Sequence, residues 1–190
     1  MRQHSQKLIV HLLFFLFLSL PVVLSSTVHS DQRTIEGIVT KISKGNTIQV
    51  LTDNQTKLRV RLAGIDCPET SKISLKTGKV NKPGQPFADE AAIFTGRMVA
   101  GKRVKLVAYG PDRYQRILAF VFVGGVNVNL ELVKAGLAEV YRVKGAVGAH
   151  RRELERAESE ARIARRGMWA QGDKYESPAE YRKRMKIGGD

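Results

Sequence analysis

The chain has 190 residues, of which 43% are apolar and 26% charged, a composition typical of a globular protein with one domain or two small ones. Its 32 lysines and arginines outnumber 18 aspartates and glutamates, giving a net charge of +14. That surplus favours a polyanionic partner such as nucleic acid, anionic lipid or an acidic polysaccharide. Cys67 is the single cysteine, which excludes an intrachain disulfide framework and a zinc site built from several cysteines.

The first 30 residues are predicted to be an export signal. Arg2 and Lys7 form a basic start, an apolar stretch runs from Leu8 to Leu24, and residues 28–30 offer a small-x-small cleavage site. An uncleaved membrane anchor is the alternative, but the apolar stretch is shorter than the roughly 20 residues that a comfortable span needs. We therefore expect cleavage after this leader, no stable membrane association afterwards, and a periplasmic or extracellular location.

Five short segments alternate apolar and polar residues and are bounded by turn residues, which predicts strands. The predicted strands are 34–41, 47–51, 57–63, 104–109 and 117–123. Helical patterns cover 87–100, with Pro86 in its first turn, 129–135, capped by Asn129, and 149–166. Five strands with a helix between the third and the fourth predict an α+β fold, a β-barrel of the OB type with about three helices.

The prediction for domain organisation is one barrel domain followed by a short tail. We expect the domain over 31–170 and a basic, loosely ordered tail over 171–190. Residues 64–86, between the third strand and the first helix, are predicted to be a loop that carries four lysines.

Two short motifs concentrate the residue types that phosphodiester chemistry needs. Residues 61–70 (Arg-Leu-Ala-Gly-Ile-Asp-Cys-Pro-Glu-Thr) place an arginine at the end of a strand and two carboxylates three residues apart in the loop after it. Residues 112–116 (Asp-Arg-Tyr-Gln-Arg) join the fourth and fifth strands. A carboxylate can take a proton from water or hold a hard cation, and guanidinium groups bind a charged phosphate. Taken singly, each motif also fits a turn cap or a surface salt bridge.

Together and in this order, the motifs resemble the staphylococcal nuclease (thermonuclease) family. The resemblance extends from about residue 35 to residue 169 and includes 84–88, 129–138 and the Gly-Met-Trp sequence at 167–169. It implies a monomeric, calcium-dependent nuclease on a five-stranded OB barrel of the staphylococcal nuclease type. Such an enzyme cuts DNA, RNA or both and leaves 3′-phosphate ends.

The resemblance also implies which residues carry out the reaction. Glu69 would be the general base that activates water, two arginines would stabilise the transition state, and Cys67 would offer its main-chain carbonyl to calcium. The implied residues are Arg61, Glu69 and Arg116 for catalysis, Asp66, Cys67 and Asn46 for the metal, and Arg113, Tyr114 and Tyr141 for the substrate.

One turn departs from the family pattern. Where the family typically has Asp-Gly-Asp-Thr, this chain has Lys-Gly-Asn-Thr at 44–47. Asn46 keeps a neutral oxygen but removes a negative charge, and Lys44 adds a positive one, so cation binding should weaken.

Two functions therefore remain open. One is a secreted nuclease with altered metal dependence, and the other is a catalytically impaired OB module that binds nucleic acid. A protein that docks on anionic surface polymers would explain the charge but not the motifs. The complete catalytic set favours the enzyme, because a pure binder has no use for Glu69.

Overall fold

Five strands of the chain close into a mixed barrel. The computed structural model describes residues 33–142 and 150–187, so the leader predicted over residues 1–30 lies outside the described residues. The barrel strands are β1 (Arg33–Lys44), β2 (Thr47–Thr52), β3 (Lys57–Leu62), β7 (Arg103–Pro111) and β8 (Ile117–Val123). Neighbouring strands in the order β3-β2-β1-β7-β8 pair antiparallel, and a parallel pairing of β3 with β8 closes the ring. This arrangement confirms the predicted α+β fold of the OB type.

The barrel interior follows from the period-two pattern, because alternate side chains of a strand point to the same face. Ile48, Val50, Val60 and Leu62 of β2 and β3 are fully buried, whereas Arg59, next to Val60 in β3, is exposed. Packing these branched side chains against one another gives the largest favourable term in the stability of the fold.

Short strands extend the pairing beyond the barrel, including within the predicted loop 64–86. They are β4 (Ile65–Asp66), β5 (Lys72–Ile73), β6 (Val80–Lys82), β9 (Val126–Asn127) and β10 (Glu139–Val140). Strand β4 pairs with β10, and β5 pairs with β6 as a small exposed hairpin. The pairing of β4 with β10 ties the first motif to a segment more than 70 positions later.

The described residues contain more helix than the three helices expected. The α-helices are α1 (Ala88–Val99), α2 (Val128–Lys134), α3 (Arg151–Ile163) and α4 (Pro178–Ile187), and a 3-10 helix covers Gly167–Lys174. The structure thus places two helices in much of the segment predicted to be a loosely ordered tail. Pro86 lies before α1 rather than in its first turn, because Phe87 caps that helix with a left-handed backbone at φ 66°. No helix within 33–142 or 150–187 combines the length and apolar character that a membrane crossing requires.

Asn129 was the predicted cap of the second helix, and that prediction is wrong. Asn127 caps α2 by accepting a hydrogen bond from the Leu130 N–H at 3.3 Å. Asn129 lies inside the helix, fully buried, and its amide donates to the Ala63 carbonyl at 2.8 Å. Its side-chain oxygen accepts from the Val121 N–H at 3.0 Å. The side chain therefore joins α2 to peptide groups of the barrel, which would otherwise be buried without partners.

We expect Asn129→Ala to lower the free energy of unfolding by about 2–4 kcal/mol, because it leaves buried peptide groups unsatisfied. Urea unfolding followed by circular dichroism measures the change. Asn127→Asp is the control, since it keeps the cap acceptor and should change stability by less than about 0.5 kcal/mol. Equal losses in the two variants would contradict the role assigned to Asn129.

Two glycines let the chain after α3 pack against the end of α2. A Cβ atom at Gly136 would lie 2.1 Å from the Arg166 carbonyl oxygen, and one at Gly167 would lie 2.4 Å from the Gly136 oxygen. Both have positive φ, 68° and 52°, which glycine adopts at little cost. The Met168 N–H donates to the Gly136 oxygen at 2.9 Å, and Met168 and Trp169 are buried. This close approach sets the direction of the chain that leads to α4.

Candidate active site

The two predicted catalytic arginines lie on one face of the barrel. The parallel pairing places Arg61 of β3 beside Leu118 of β8. Arg116 lies just before β8, two residues before Leu118, and extending the alternation of the strand back to it places it on the same side of the sheet. Because Leu62 faces the core, Arg61 faces outward, and its side chain is 15% exposed.

Asp66 is the buried centre of the first motif, at 1% exposure. Its Oδ1 accepts hydrogen bonds from Arg61 Nη2 and from Asn46 Nδ2, both at 3.1 Å. The Thr47 hydroxyl donates to Asn46 Oδ1 at 3.2 Å, which turns the amide nitrogen towards Asp66. A carboxylate this deeply buried needs such partners, because unpaired charge is costly away from water. The β1–β2 turn, β3 and β4 thus meet at one carboxylate.

Glu69 lies beside Asp66 and is bonded to two cations. Its Oε2 accepts from Lys44 Nζ at 2.5 Å, and its Oε1 accepts from Arg182 Nη1 at 2.8 Å. Nη2 of the same arginine donates to Asp66 Oδ2 at 2.6 Å. Burial acts to raise the pKa of Glu69, but the hydrogen bonds and charges of Lys44 and Arg182 outweigh it and hold the pKa below the usual range. Glu69 is therefore ionised at neutral pH.

The backbone of Glu69 is held by the loop that leads into α1. Gln85 Oε1 accepts from the Glu69 N–H at 2.9 Å, and the Gln85 N–H donates to the Glu69 carbonyl at 2.8 Å. A Cβ atom at Gly84 would lie 2.8 Å from the Ser71 nitrogen, so the two loop segments can approach only because that residue is glycine. Gln85 Nε2 also donates to the Glu176 carbonyl at 3.0 Å, which links this loop to the segment before α4.

The second motif forms a turn organised by Asp112. Its Oδ1 accepts from the N–H groups of Tyr114 and Arg116 at 2.8 and 3.0 Å, and its Oδ2 accepts from Arg116 Nε at 2.8 Å. Burial acts to raise the pKa of Asp112, but these hydrogen bonds lower it below its usual value. The Tyr114 ring is 56% exposed and lies 4.8 Å from the Arg113 guanidinium and 5.3 Å from that of Arg116. Arg116 is therefore oriented by Asp112 and flanked by an accessible aromatic ring.

Tyr141 lies next to the first motif, although it is distant in the chain. Its ring centroid is 5.6 Å from the Arg61 guanidinium, and its N–H donates to the Gly64 carbonyl at 2.9 Å. The buried Glu158 of α3 accepts from the Val140 N–H at 2.8 Å and so anchors this segment. The ring therefore lies beside the guanidinium group of Arg61.

Cys67 belongs to the core. Burial raises the pKa of its thiol far above the ordinary value, so the sulfur is neutral and suits packing rather than nucleophilic attack. A Cβ atom at Gly45 would lie 3.0 Å from Cys67 Sγ and 2.7 Å from the Ala91 Cβ. The Thr95 hydroxyl also donates to the Gly45 carbonyl at 2.7 Å. The turn that carries Asn46 is thus packed tightly against α1 and Cys67.

The structure gathers most of the predicted site residues into two groups, with Tyr141 beside Arg61 of the first group and Cys67 in the core. It also adds some residues that sequence reasoning missed. Asn46, Arg61, Asp66 and Glu69 share one hydrogen-bonded network. Arg113, Tyr114 and Arg116 form a second cluster around Asp112. The residues missed are Gln85 and Glu158 as positioning residues and Arg182 as a partner of both carboxylates.

A signal for the helix of Arg182 was present in the sequence. Ser177 and Glu180 form a capping box, in which the Glu180 N–H donates to Ser177 Oγ at 3.2 Å and the Ser177 N–H donates to Glu180 Oε2 at 3.0 Å. The spacing indicates a helix start. It does not indicate where the helix packs.

A five-stranded OB barrel with guanidinium groups and carboxylates on one face provides the groups that hydrolysis of a phosphodiester needs. Comparison with known proteins agrees with this class: residues 59–171 match the model of the family described as staphylococcal nuclease homologue. The chain belongs to the staphylococcal nuclease family, whose members hydrolyse phosphodiester bonds.

Individual relatives carry related names. The chain is 34% identical over 174 residues to Endonuclease Htp3 of Saprolegnia parasitica, and the match covers 80% of this chain and 78% of that protein. It is 35% identical over 149 residues to an uncharacterized endonuclease of Haemophilus influenzae, covering 78% and 74%. It is 38% identical over 143 residues to the "Probable endonuclease LCL3" of Coccidioides posadasii, covering 67% of this chain but 43% of that longer protein.

Proposed function

We propose that this chain is an exported, monomeric nuclease that hydrolyses phosphodiester bonds of DNA, RNA or both and leaves 3′-phosphate ends. The observation that carries the proposal is the meeting of Arg61, Asp66 and Glu69 in one network on the barrel face that also carries Arg116. The net charge of +14 suits a polyanionic substrate, and the apolar leader supports export.

In the proposed reaction, Glu69 takes a proton from water, and the resulting hydroxide adds to phosphorus. Arg61 and Arg116 donate hydrogen bonds to the phosphate oxygens, where negative charge grows in the transition state. The bond from phosphorus to the 5′ oxygen then breaks and that oxygen takes a proton, which leaves a 3′-phosphate. Arg113, Tyr114 and Tyr141 hold the neighbouring nucleotides through charge and ring stacking.

The donor set does not fit calcium in this arrangement. Members of the family typically depend on calcium, and calcium takes six to eight oxygen ligands. Here Asn46 offers its amide nitrogen to Asp66, and Lys44 and Arg182 are bonded to the carboxylates. Among residues 33–142 and 150–187, no group of three His, Cys, Asp or Glu side chains could hold a metal ion. Calcium dependence, with Cys67 offering its carbonyl, stays a prediction of the family resemblance.

A nucleic-acid-binding module is the second candidate, and one observation favours it. Both oxygens of the Glu69 carboxylate are bonded to cationic side chains, Lys44 and Arg182, and a base held in this way accepts a proton poorly. The basic barrel face would still bind phosphates.

Cleavage of a single-stranded oligonucleotide by the purified protein separates the two candidates. The assay runs across a calcium titration with an EDTA blank, and the product ends are identified by mass spectrometry. Cleavage that leaves 3′-phosphates supports the nuclease. Folded protein that binds the oligonucleotide and cleaves none of it at any calcium concentration supports the binding module.

We expect Asn46→Asp to destabilise the protein in EDTA, because it replaces an N–H donor 3.1 Å from Asp66 with a second carboxylate. A loss of about 1–3 kcal/mol corresponds to a fall in Tm of roughly 3–10 °C. Calcium should restore the Tm and reach half-maximal effect at a lower concentration than in the parent. Thermal melts across a calcium series measure both effects, with Asn54→Asp in an exposed turn as the control. A Tm in EDTA equal to that of the parent would show that position 46 does not face Asp66. A Tm that calcium does not raise would show that position 46 does not face a cation site.

A further inference from the structure

Helix α4 brings a guanidinium group into the middle of the candidate active site. Arg182 Nη1 lies 2.8 Å from Glu69 Oε1 and Nη2 lies 2.6 Å from Asp66 Oδ2, so one side chain bridges the two carboxylates. The partners are 113 and 116 positions away in the chain, and the match to the family model ends at residue 171. The guanidinium group that bridges the two carboxylates therefore comes from a segment beyond the residues that match the family model.

With α4 docked, every oxygen of the two carboxylates accepts a hydrogen bond from nitrogen. Besides the two oxygens bonded to Arg182, Asp66 Oδ1 accepts from Arg61 and Asn46, and Glu69 Oε2 accepts from Lys44. Three cationic side chains thus face two carboxylates. A divalent cation would meet occupied oxygens and a local charge that is already positive, so it can bind here only after a cation leaves.

Apart from the two ion pairs of Arg182, few contacts hold α4 against the rest of the protein. The Tyr181 hydroxyl donates to the Pro83 carbonyl, and Lys82 Nζ donates to the Met185 carbonyl at 3.2 Å. Among the described side chains of α4, only Pro178 and Tyr181 are buried. A cavity of about 190 Å³ also lies between the loop before α1, the 3-10 helix and α4. Release of the helix would leave the barrel core intact.

We propose that Arg182 sets the cation requirement of this site: its guanidinium takes the place of a divalent cation between Asp66 and Glu69, so docking of α4 and binding of such a cation exclude each other. This exclusion follows from the carboxylates alone, whereas its consequence for catalysis rests on the proposed function. For the proposed nuclease the docked state is the resting state, because Glu69 cannot serve as a base while both its oxygens are bonded to cationic donors.

Titration calorimetry with calcium chloride on the full chain, at low salt and neutral pH, tests the proposal. Arg182→Gln should bind calcium at least about tenfold more tightly than the parent, because it removes one positive charge and frees two carboxylate oxygens. Arg182→Lys keeps the charge but has one nitrogen in place of the planar fork whose two nitrogens reach the two carboxylates, so its affinity should be intermediate. Lys183→Gln is the matched control, since Lys183 is exposed on the same helix, and it should bind calcium like the parent.

Calcium affinities of Arg182→Gln and Lys183→Gln that agree within twofold would overturn the proposal. Thermal melts report which variants are folded. If Arg182→Gln is unfolded, the calcium affinities of Arg182→Lys and Lys183→Gln are compared instead, and agreement within twofold would again overturn the proposal. Oligonucleotide cleavage is measured on the same samples. If the calcium affinities follow the expected order but no variant cleaves, the role assigned to Arg182 is supported and the proposed nuclease is contradicted. If the variants cleave but the affinities do not follow that order, the nuclease is supported and the role assigned to Arg182 is contradicted.

Discussion

Glu69→Gln should lower the rate of oligonucleotide cleavage by between about 100-fold and 10,000-fold, the range that a general base contributes. Glutamine keeps the size of the side chain and one acceptor oxygen, but it cannot take a proton from water. Binding of the oligonucleotide should change little, because phosphate contacts come from the basic residues around the site. Cleavage of a fluorophore–quencher oligonucleotide gives the rate, and fluorescence anisotropy gives the affinity.

The control for this substitution is Glu90→Gln, which removes a carboxylate from an exposed position of α1. It should cleave and bind like the parent. Both variants need a Tm close to that of the parent, since Glu69 is bonded to Lys44 and Arg182 and its loss could loosen α4. A Glu69→Gln protein that is folded and cleaves within tenfold of the parent would remove Glu69 from the proposed mechanism.

Arg116→Lys should lower the cleavage rate by about 100-fold to 1000-fold, the effect of losing one well-placed donor to a transition-state charge. Lysine keeps the positive charge, but it lacks the planar fork that can hold Asp112 and two phosphate oxygens together. In the structure Asp112 Oδ2 accepts from Arg116 Nε at 2.8 Å and is 2.6 Å from Nη2, which orients the guanidinium. The loss should therefore appear mainly in kcat rather than in KM.

Arg97→Lys, at an exposed position of α1, is the matched change for comparison. Steady-state kinetics on both variants separate the loss of a particular guanidinium from a general effect of arginine replacement. If Arg116→Lys raises KM alone and leaves kcat unchanged, Arg116 binds the substrate and does not stabilise the transition state.

The ionisation and the bonding of the Glu69 carboxylate connect these predictions with the proposal for α4. In the docked arrangement the carboxylate is ionised, as a base must be, yet Lys44 and Arg182 occupy its oxygens. Removing Arg182 should therefore raise activity at limiting calcium, whereas removing Glu69 should lower it by the range given above at every calcium concentration. The two substitutions act on the same carboxylate with opposite expected signs.

The barrel and the two motifs of the site could be predicted from local patterns in the chain. Apolar alternation is a local property, so the five barrel strands could be predicted within a few residues of their ends. The spacing of Arg61, Asp66 and Glu69 along one strand and loop was likewise visible, because these residues lie within nine positions of each other. The prediction for Asn129 failed because asparagine serves both as a helix cap and as a buried amide, and Asn127 and Asn129 lie two positions apart at the start of one helix.

The groups that surround Asp66 and Glu69 come from distant parts of the chain and could not be predicted from local patterns. Lys44 is 25 positions from Glu69, and the sequence indicated only that it adds positive charge, whereas the fold brings its ammonium group to 2.5 Å. The capping box at 177–180 indicates a helix, but no local pattern tells where that helix packs. Arg182 reaches Asp66 and Glu69 across more than 100 positions, and the close approach of Gly136 to Gly167 packs the segment before its helix against the end of α2. Contacts of that range depend on packing of the whole chain, and periodicity and motif spacing carry no information about them.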